Sequence, residues 1–406
     1  MKIHDFDEPV NRLETDSYKW DHEGEHGKYI PFGVADTDFK APEEVIKAVK
    51  SKVEFGVFAY GDFPQKRFAE AVCNWYEKRY NTLIPSQWVC HAQGLMTGAL
   101  WMILNAYTRP GDCVLIQPPV YNTFYVVIQG AGRFVQTNPL VLKNGRYEID
   151  YEDLERKTAN PRVRILLVCN PHNPVGRVWR KEELRRMAEI CRKNDTLIVS
   201  DEIHGDIVYE GHKHVPYFSI DEPGCDRLIV MGSPSKTFNL ACFYSAYVLI
   251  PDQSLRNQYQ IVYENYHFDY NYLGIEALIT AYNSCEYYVD QQNAYFKRNI
   301  ELVKNFLKEN MPEVKLIEPE GTYLLWIDFS AWNMEQKDLM DIFEKAGIKL
   351  NNGTNYGTCG MGFVRMNIAT QTAVLQRGLS CLKNAAEKAR NYRLENASLI
   401  KGIRAD

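Results

Sequence analysis

The sequence holds no C-x-x-C pair: its ten cysteines, at 73, 90, 113, 169, 191, 225, 242, 285, 359 and 381, stand apart, most of them inside apolar runs. No clustered Cys/His spacing of the zinc-binding kind occurs, so no metal is expected. Scattered thiols suit structural cysteines in a reducing cytosol; Cys359, in a glycine-rich loop, reads as a free thiol. No apolar stretch is long enough to span a bilayer. The opening MKIHDFDEPVNRLE has no apolar h-region, so no signal peptide is expected and the protein is placed in the cytoplasm. There is no run of like charge and no basic tail. The net charge of −5 gives no reason to expect nucleic acid or an anionic membrane as partner. No internal repeat is found. Two phosphate motifs are missing as well, the G-x-x-x-x-G-K-[ST] P-loop and a G-x-G-x-x-G opening a helix after a strand, which excludes those routes to nucleotide binding.

What is there is a chain of 406 residues, 45% apolar and 24% charged, too long for one core and suited to a large domain plus a smaller one. Helical spacing runs through 42–55, with Pro42 suited to a first turn, and through 68–81, 95–108 and 181–194. Short apolar runs at 112–119, 164–171, 196–203, 227–233 and 245–250 read as buried strands. Strands without alternation, separated by helices, imply a parallel or mixed sheet covered on both faces, hence an α/β fold. After residue 285 the pattern changes to a long helix at 287–310, the segment KLIEPEGTYLLWIDF, a helix over QKDLMDIFEKAGI, the strand GFVRMNIAT and a last helix over about 373–393. This predicts a large domain over 51–286, a smaller α+β domain over 287–406, and residues 1–50 packing with the smaller one. The tail NASLIKGIRAD is expected to fray.

In open α/β sheets, ligands bind beyond the carboxyl ends of strands. The polar residues there are Asn170, His172 and Asn173; Asp201, Glu202 and His204; and Ser233, Ser235 and Lys236. Gly94 precedes the apolar helix at 95, whose free N–H groups suit a phosphate. A lysine leaving a strand ordinarily snorkels to water. A phosphate cradle, hydroxyls, an acid, an Asn and a lysine collected together point instead to pyridoxal phosphate, held by the lysine as a Schiff base with an acid at its pyridine nitrogen. A metal on Asp201, Glu202 and His204 is rejected, because adjacent strand residues point to opposite faces.

The segments VADTDFKAPEEV, GVFAYGD, CNPHNPVGRVW, SDEIHGDIVY, SPSKTFNLA, PEGTYLLWIDF and GFVRMNIA resemble, over nearly the whole chain, the fold-type I pyridoxal-phosphate enzymes of the class I/II aminotransferase superfamily. Three of them, VADTDF, SDEIHGDIVY and PEGTYLLWIDF, are similar to the MalY/PatB-type carbon–sulfur lyases, also called cystathionine β-lyases. The resemblance implies a mostly parallel seven-stranded sheet sandwiched by helices, plus the smaller α+β domain.

It also implies roles. Lys236 matches the Schiff-base lysine and general base. Asp201 matches the acid facing the pyridine nitrogen, Asn173 the donor to the ring oxygen, and Tyr121 the aromatic stacked on the ring. His204 stands where many members carry Tyr; it either approaches the ring oxygen or is a structural histidine. Gly94, Leu95 and Met96 would offer amides to the phosphate, and Ser233 and Ser235 hydroxyls. Tyr60 matches a tyrosine reaching the phosphate of a neighbouring subunit, which implies a homodimer with shared sites. Arg365 matches the arginine for the substrate α-carboxylate, where Asn173 also lies, and Ala35 and Asp36 match the loop closing over the substrate. One departure stands out: Tyr244 occupies the position, eight residues after Lys236, where many members carry a basic residue on the phosphate.

The expected reaction is β-elimination from L-cystathionine or a related cysteine S-conjugate, giving a thiol, pyruvate and ammonia. The same residues permit transamination, and an aminotransferase of aromatic or broad range is the alternative. A regulatory role through protein contact ranks lower, since a binding protein has no use for Lys236, Asp201 and Arg365 together.

Overall fold

Seven short strands of apolar and β-branched residues build the large sheet: β1 (Val89–Gln93), β2 (Cys113–Ile116), β3 (Phe134–Thr137), β4 (Val163–Cys169), β5 (Leu197–Asp201), β6 (Leu228–Gly232) and β7 (Ser245–Leu249). The computed structural model describes residues 2–220, 227–266 and 270–403; Cys225 and residues 404–406 of the tail lie outside the described residues. The spatial order is β1-β7-β6-β5-β4-β2-β3. β7 is antiparallel to both its neighbours, and every other pairing is parallel. β4, β5 and β6 are buried along nearly their whole length, which is why their sequences do not alternate.

Since only β7 runs the other way, β1, β2, β4, β5 and β6 deliver their carboxyl ends to one edge. β7 starts at that edge, with Ser245 opposite Gln93. The expected strand at 112–119 stops at Ile116, because Pro118 and Pro119 have no N–H to give a ladder. The expected helix at 95–108 begins with a wide π-type turn, Leu95–Leu100, before the α-helix Trp101–Tyr107.

The chain resolves into two units: Met1–His4, Lys40–Asn293 and Pro319–Thr322 form one, and Asp5–Phe39, Ala294–Glu318 and Tyr323–Asp406 the other. The short piece Pro319–Thr322 is stitched into the first unit by backbone bonds. Glu320 and Gly321 donate to the Gly176 carbonyl, Tyr209 donates to the Glu320 carbonyl, and Thr322 donates to the Ile207 carbonyl. The Glu320 carboxylate accepts from Arg177 Nε at 3.0 Å, Arg146 Nε at 2.8 Å and the Val178 N–H at 2.8 Å.

The second unit has a four-stranded antiparallel sheet. Its strands are β8 (Lys315–Leu316), β9 (Leu324–Asp328), β10 (Asn351–Asn352) and β11 (Phe363–Asn367), in the order β8-β9-β11-β10. Trp326 stacks on Phe363 with ring centres 5.1 Å apart, and Phe329 packs edge-on to Trp332 and Phe343. The final helix, Thr372–Ile403, runs ten residues past the end expected from sequence. Among the described residues no helix is long and apolar enough to cross a membrane.

Candidate active site

The carboxyl edge of the large sheet carries Gly94, Asn173, Asp201, Ser233, Ser235 and Lys236 at or just beyond its strand ends. Asp201 ends β5 and lies beside Cys169 of β4 and Met231 of β6. Its side chain is buried and accepts the Ile203 N–H at 3.2 Å. Burial pushes its pKa up to about 7, against the pull of the Ile203 N–H and the Lys236 ammonium. Lys236 is half-buried in the turn that follows β6.

That turn is built by hydroxyls. Ser233 donates to the Ser245 carbonyl at 2.8 Å and accepts the Ser235 N–H at 3.1 Å. With its one hydrogen given to Ser245, Ser233 shapes the turn and leaves Ser235 as the outward hydroxyl. One residue past the lysine, Thr237 is wholly buried and bonded to Asp206.

The loop after β4 holds Asn173, buried, whose N–H points to Cys169 Sγ at 3.4 Å. His172 joins this loop to the one carrying Tyr121. Its Nε2 donates to the Pro119 carbonyl at 2.9 Å, and its N–H donates to the Arg177 carbonyl at 2.7 Å. Burial pushes the His172 pKa down to about 4, so the ring is a neutral brace rather than a titrating group. Tyr121 is half-buried, edge-on to Phe124.

Gly94, at φ 80°, turns the chain from β1 into the helix at Leu95. A Cβ there would stand 3.1 Å from the ring of Tyr244. Tyr244 is 58% exposed, so the residue that replaces the usual base sits on this edge, near the start of the helix. His204 is buried just beyond β5. Glu202 is a structural carboxylate: it accepts from Ser200 Oγ and the Tyr217 N–H, both at 2.9 Å, and faces His214 Nε2 at 3.0 Å. No group of residues able to hold a metal ion occurs among the described residues.

Tyr60 is 96% exposed, with Phe55, Val57 and Phe58 exposed before it. With Tyr270, Asn271 and Tyr272 these residues line a cleft of about 940 Å³.

In the second unit, Arg365 is central in its sheet, opposite Trp326 of β9 and Asn351 of β10. It is 3% exposed, and its guanidinium lies over the Tyr356 ring at 5.1 Å. Arg365 Nη2 donates to the Gly33 carbonyl. Two residues along the strand, Asn367 Nδ2 donates to the carbonyls of Val34 and Asp36, each at 2.6 Å, and Tyr323 OH donates to the Ala35 carbonyl at 3.1 Å. β11 therefore holds the 33–36 loop by its backbone. The Asp36 carboxylate faces Arg12, with bonds of 3.1 and 2.7 Å. Asp38 pairs with Arg12 at 2.7 Å and with the wholly buried Lys19 at 2.8 Å. At Ala35 and Asp36 the carbonyls are taken by Tyr323 and Asn367, and the Asp36 carboxylate by Arg12.

The first-unit set fits a phosphorylated pyridine aldehyde. A buried carboxylate with a raised pKa suits a ring nitrogen that carries a proton, a nearby lysine suits the aldehyde, and N–H groups at a helix start suit the phosphate. Sequence reading missed Asp206, Glu23, Arg12 and the bracing part of His172. Asp206 lies inside SDEIHGDIVY, so its motif was visible although its contacts were not.

The chain belongs to the aminotransferase class I and II family, whose model matches residues 27–382. It is similar to the cystathionine beta-lyase PatB of Bacillus subtilis (strain 168), with 37% identity over 94% of this chain and 99% of that protein. It is similar also to Protein MalY of Escherichia coli (strain K12), 29% identical over 95% of this chain and all of that protein. Among solved structures, cystalysin from Treponema denticola, described as containing a pyridoxal 5′-phosphate cofactor, superposes with a TM-score of 0.91 at 33% identity, covering 95% of this chain and all of that one.

Proposed function

We propose that the protein is a pyridoxal 5′-phosphate-dependent carbon–sulfur β-lyase, cleaving L-cystathionine or a related cysteine S-conjugate to a thiol, pyruvate and ammonia. The lyase reading is carried by the 37% identity to a cystathionine beta-lyase over 94% of the chain; Asp201, buried at the end of β5, with Lys236 in the turn after β6, supports the cofactor. When bound, pyridoxal phosphate supplies an electron-accepting ring that stabilises negative charge at the substrate Cα.

The residues do the rest. Asp201 keeps a proton on the ring nitrogen. Lys236 Nζ would hold the aldehyde carbon and, once the substrate amine has displaced it there, would take the substrate Cα proton as general base. Tyr121 covers a ring face. Asn173 and His204 donate toward the ring oxygen. The N–H groups of Gly94, Leu95 and Met96, with the Ser235 hydroxyl, bind the phosphate, while Ser233 shapes the turn. Arg365 takes the substrate α-carboxylate bidentately, and the backbone at Ala35 and Asp36 borders the substrate. Tyr60 of a second copy reaches the phosphate; its exposure among apolar side chains supports a homodimer. The nine described cysteines are all free thiols, which supports work in the cytoplasm.

The test is incubation of the purified, cofactor-loaded protein with L-cystathionine and no keto acid, assaying pyruvate and free thiol together. Equal release of both, absent in Lys236→Ala, is expected. Amino-group transfer on adding a keto acid, with no pyruvate beforehand, would overturn the lyase reading in favour of an aminotransferase.

A further inference from the structure

Glu23 ends the short helix Tyr18–Glu23 and belongs to none of the motifs singled out in the sequence. Its carboxylate accepts the Val34 N–H at 3.1 Å and is also bonded by the Gly33 N–H. The approach is so close that a Cβ on Gly33 would fall 1.8 Å from Glu23 Oε1. The carbonyl of the same Gly33–Val34 peptide accepts from Arg365 Nη2. One peptide plane is thus gripped at both ends by opposite charges, a carboxylate on its N–H and a guanidinium on its C=O. Each bond polarises the peptide and strengthens the other. Burial pushes the Glu23 pKa up, against the pull of the Val34 and Gly33 N–H groups and of the Lys19 and Arg365 charges. The Tyr356 ring bounds Arg365 on one face, and β9 and β10 flank it in the sheet. The Gly33 carbonyl is therefore a fixed stop for one end of the guanidinium.

We propose that Glu23 is a positioning residue that, through the Gly33–Val34 peptide, aims the Arg365 guanidinium at the substrate carboxylate and so makes the enzyme select amines that carry one. The proposal rests on the reading of Arg365 as the carboxylate-binding group. It assigns Glu23 no contact with substrate.

The experiment uses the cofactor-loaded protein and two probes that differ at one substituent of Cα. They are 2-aminoisobutyrate and isopropylamine, which carries a hydrogen in place of the carboxylate. Binding is read from the change in the cofactor's visible absorbance. In Glu23→Gln, which keeps the shape and removes the charge, 2-aminoisobutyrate is expected to bind about tenfold more weakly, the scale of one lost charge-assisted bond. Isopropylamine is expected to bind as in the unmodified protein. Glu23→Ala should widen the gap between the probes, and if it does not fold, Glu23→Gln decides. Equal weakening of both probes would overturn the proposal by reducing Glu23 to a structural part, and so would no change in either. Arg365→Lys is the separate control: if it leaves 2-aminoisobutyrate binding intact, the carboxylate reading of Arg365 has failed, whatever Glu23 does.

Discussion

Thr237 donates its hydroxyl hydrogen to Asp206 Oδ2 at 2.8 Å, one residue beyond the lysine on which the proposed chemistry turns. The other carboxylate oxygen accepts from Trp75 Nε1 at 3.1 Å and Tyr80 OH at 2.7 Å, and the Asp206 carbonyl accepts from Asn293 Nδ2 at 2.8 Å. An amide at 206 keeps these bonds only with its oxygen toward Trp75 and Tyr80 and its NH₂ donating to the Thr237 hydroxyl, without the carboxylate's charge. Asp206→Ala, which removes the acceptor altogether, is expected to cost roughly 1–3 kcal/mol, the range for buried donors left without an acceptor. It is also expected to loosen the 233–237 turn. Urea denaturation measures the first effect and the cofactor's visible band the second; an unshifted midpoint would refute the tether.

The raised pKa of Asp201 makes the cofactor-free protein sensitive to pH in a known direction. Unfolded, the carboxyl titrates near its ordinary value; folded, burial holds the proton on until about pH 7. The native state therefore binds the extra proton, and stability falls as pH rises from about 4 to about 7, by an amount on the order of 4 kcal/mol. Asp201→Asn should remove that part of the slope. Paired thermal melts of the two cofactor-free proteins across this range check it, and parallel pH profiles would count against the burial argument. Cofactor should flatten the slope in the unmodified protein, since a protonated ring nitrogen favours the charged carboxylate.

Glu320 faces Arg177, which is 1% exposed, and Arg146. Removing one partner of a buried pair leaves a charge without compensation, which typically costs 3–5 kcal/mol. Glu183 also pairs with Arg177, at 2.8 Å, so Glu320→Ala should fall near the lower end, about 3 kcal/mol. The joint replacement of Arg177 by Met and Glu320 by Leu also strands Glu183, and should cost at least as much as Glu320→Ala alone. Chemical denaturation of the three proteins gives the comparison.

If Tyr60 completes the site of a second copy, two defective proteins should repair each other. Tyr60→Ala and Lys236→Ala are each expected to be nearly inactive with L-cystathionine. After joint refolding, random pairing in a twofold dimer should restore about a quarter of the activity, because half the dimers are mixed and one of their two sites is intact. No recovery in verified mixed dimers would place Tyr60 in its own subunit's site or outside any site.

The strands whose ends carry Asn173, Asp201 and Lys236 were legible because they are buried on both faces and read as unbroken apolar runs. β1, VCHAQ, was not: it is five residues long, and two of them are polar. β3, FVQT, is a half-exposed edge strand with no pattern to read. The helices Thr123–Gly130, Tyr151–Thr158, Gln253–Asn265 and Tyr272–Ser284 went unassigned between stronger signals. Within the site, motif residues could be named because their neighbours in sequence are their neighbours in function. Glu23 and Gly33 are ten residues apart with no periodicity to join them, and Arg365 comes from the far end of the chain. Only the fold brings these three together. Asp36 shows the converse: its motif marked the loop, yet its side chain is taken by Arg12.

The larger unit is not one stretch of chain, for Pro319–Thr322 closes it after a detour of 25 residues through the other unit. On the ribosome this sets an order of events. When residue 293 has emerged, the whole large sheet is available, but the Gly176 carbonyl and the Arg146 and Arg177 side chains still await Glu320 and Gly321. A nascent chain paused there holds an unfinished fold, and it is finished only after the helix through Asn310 has been made.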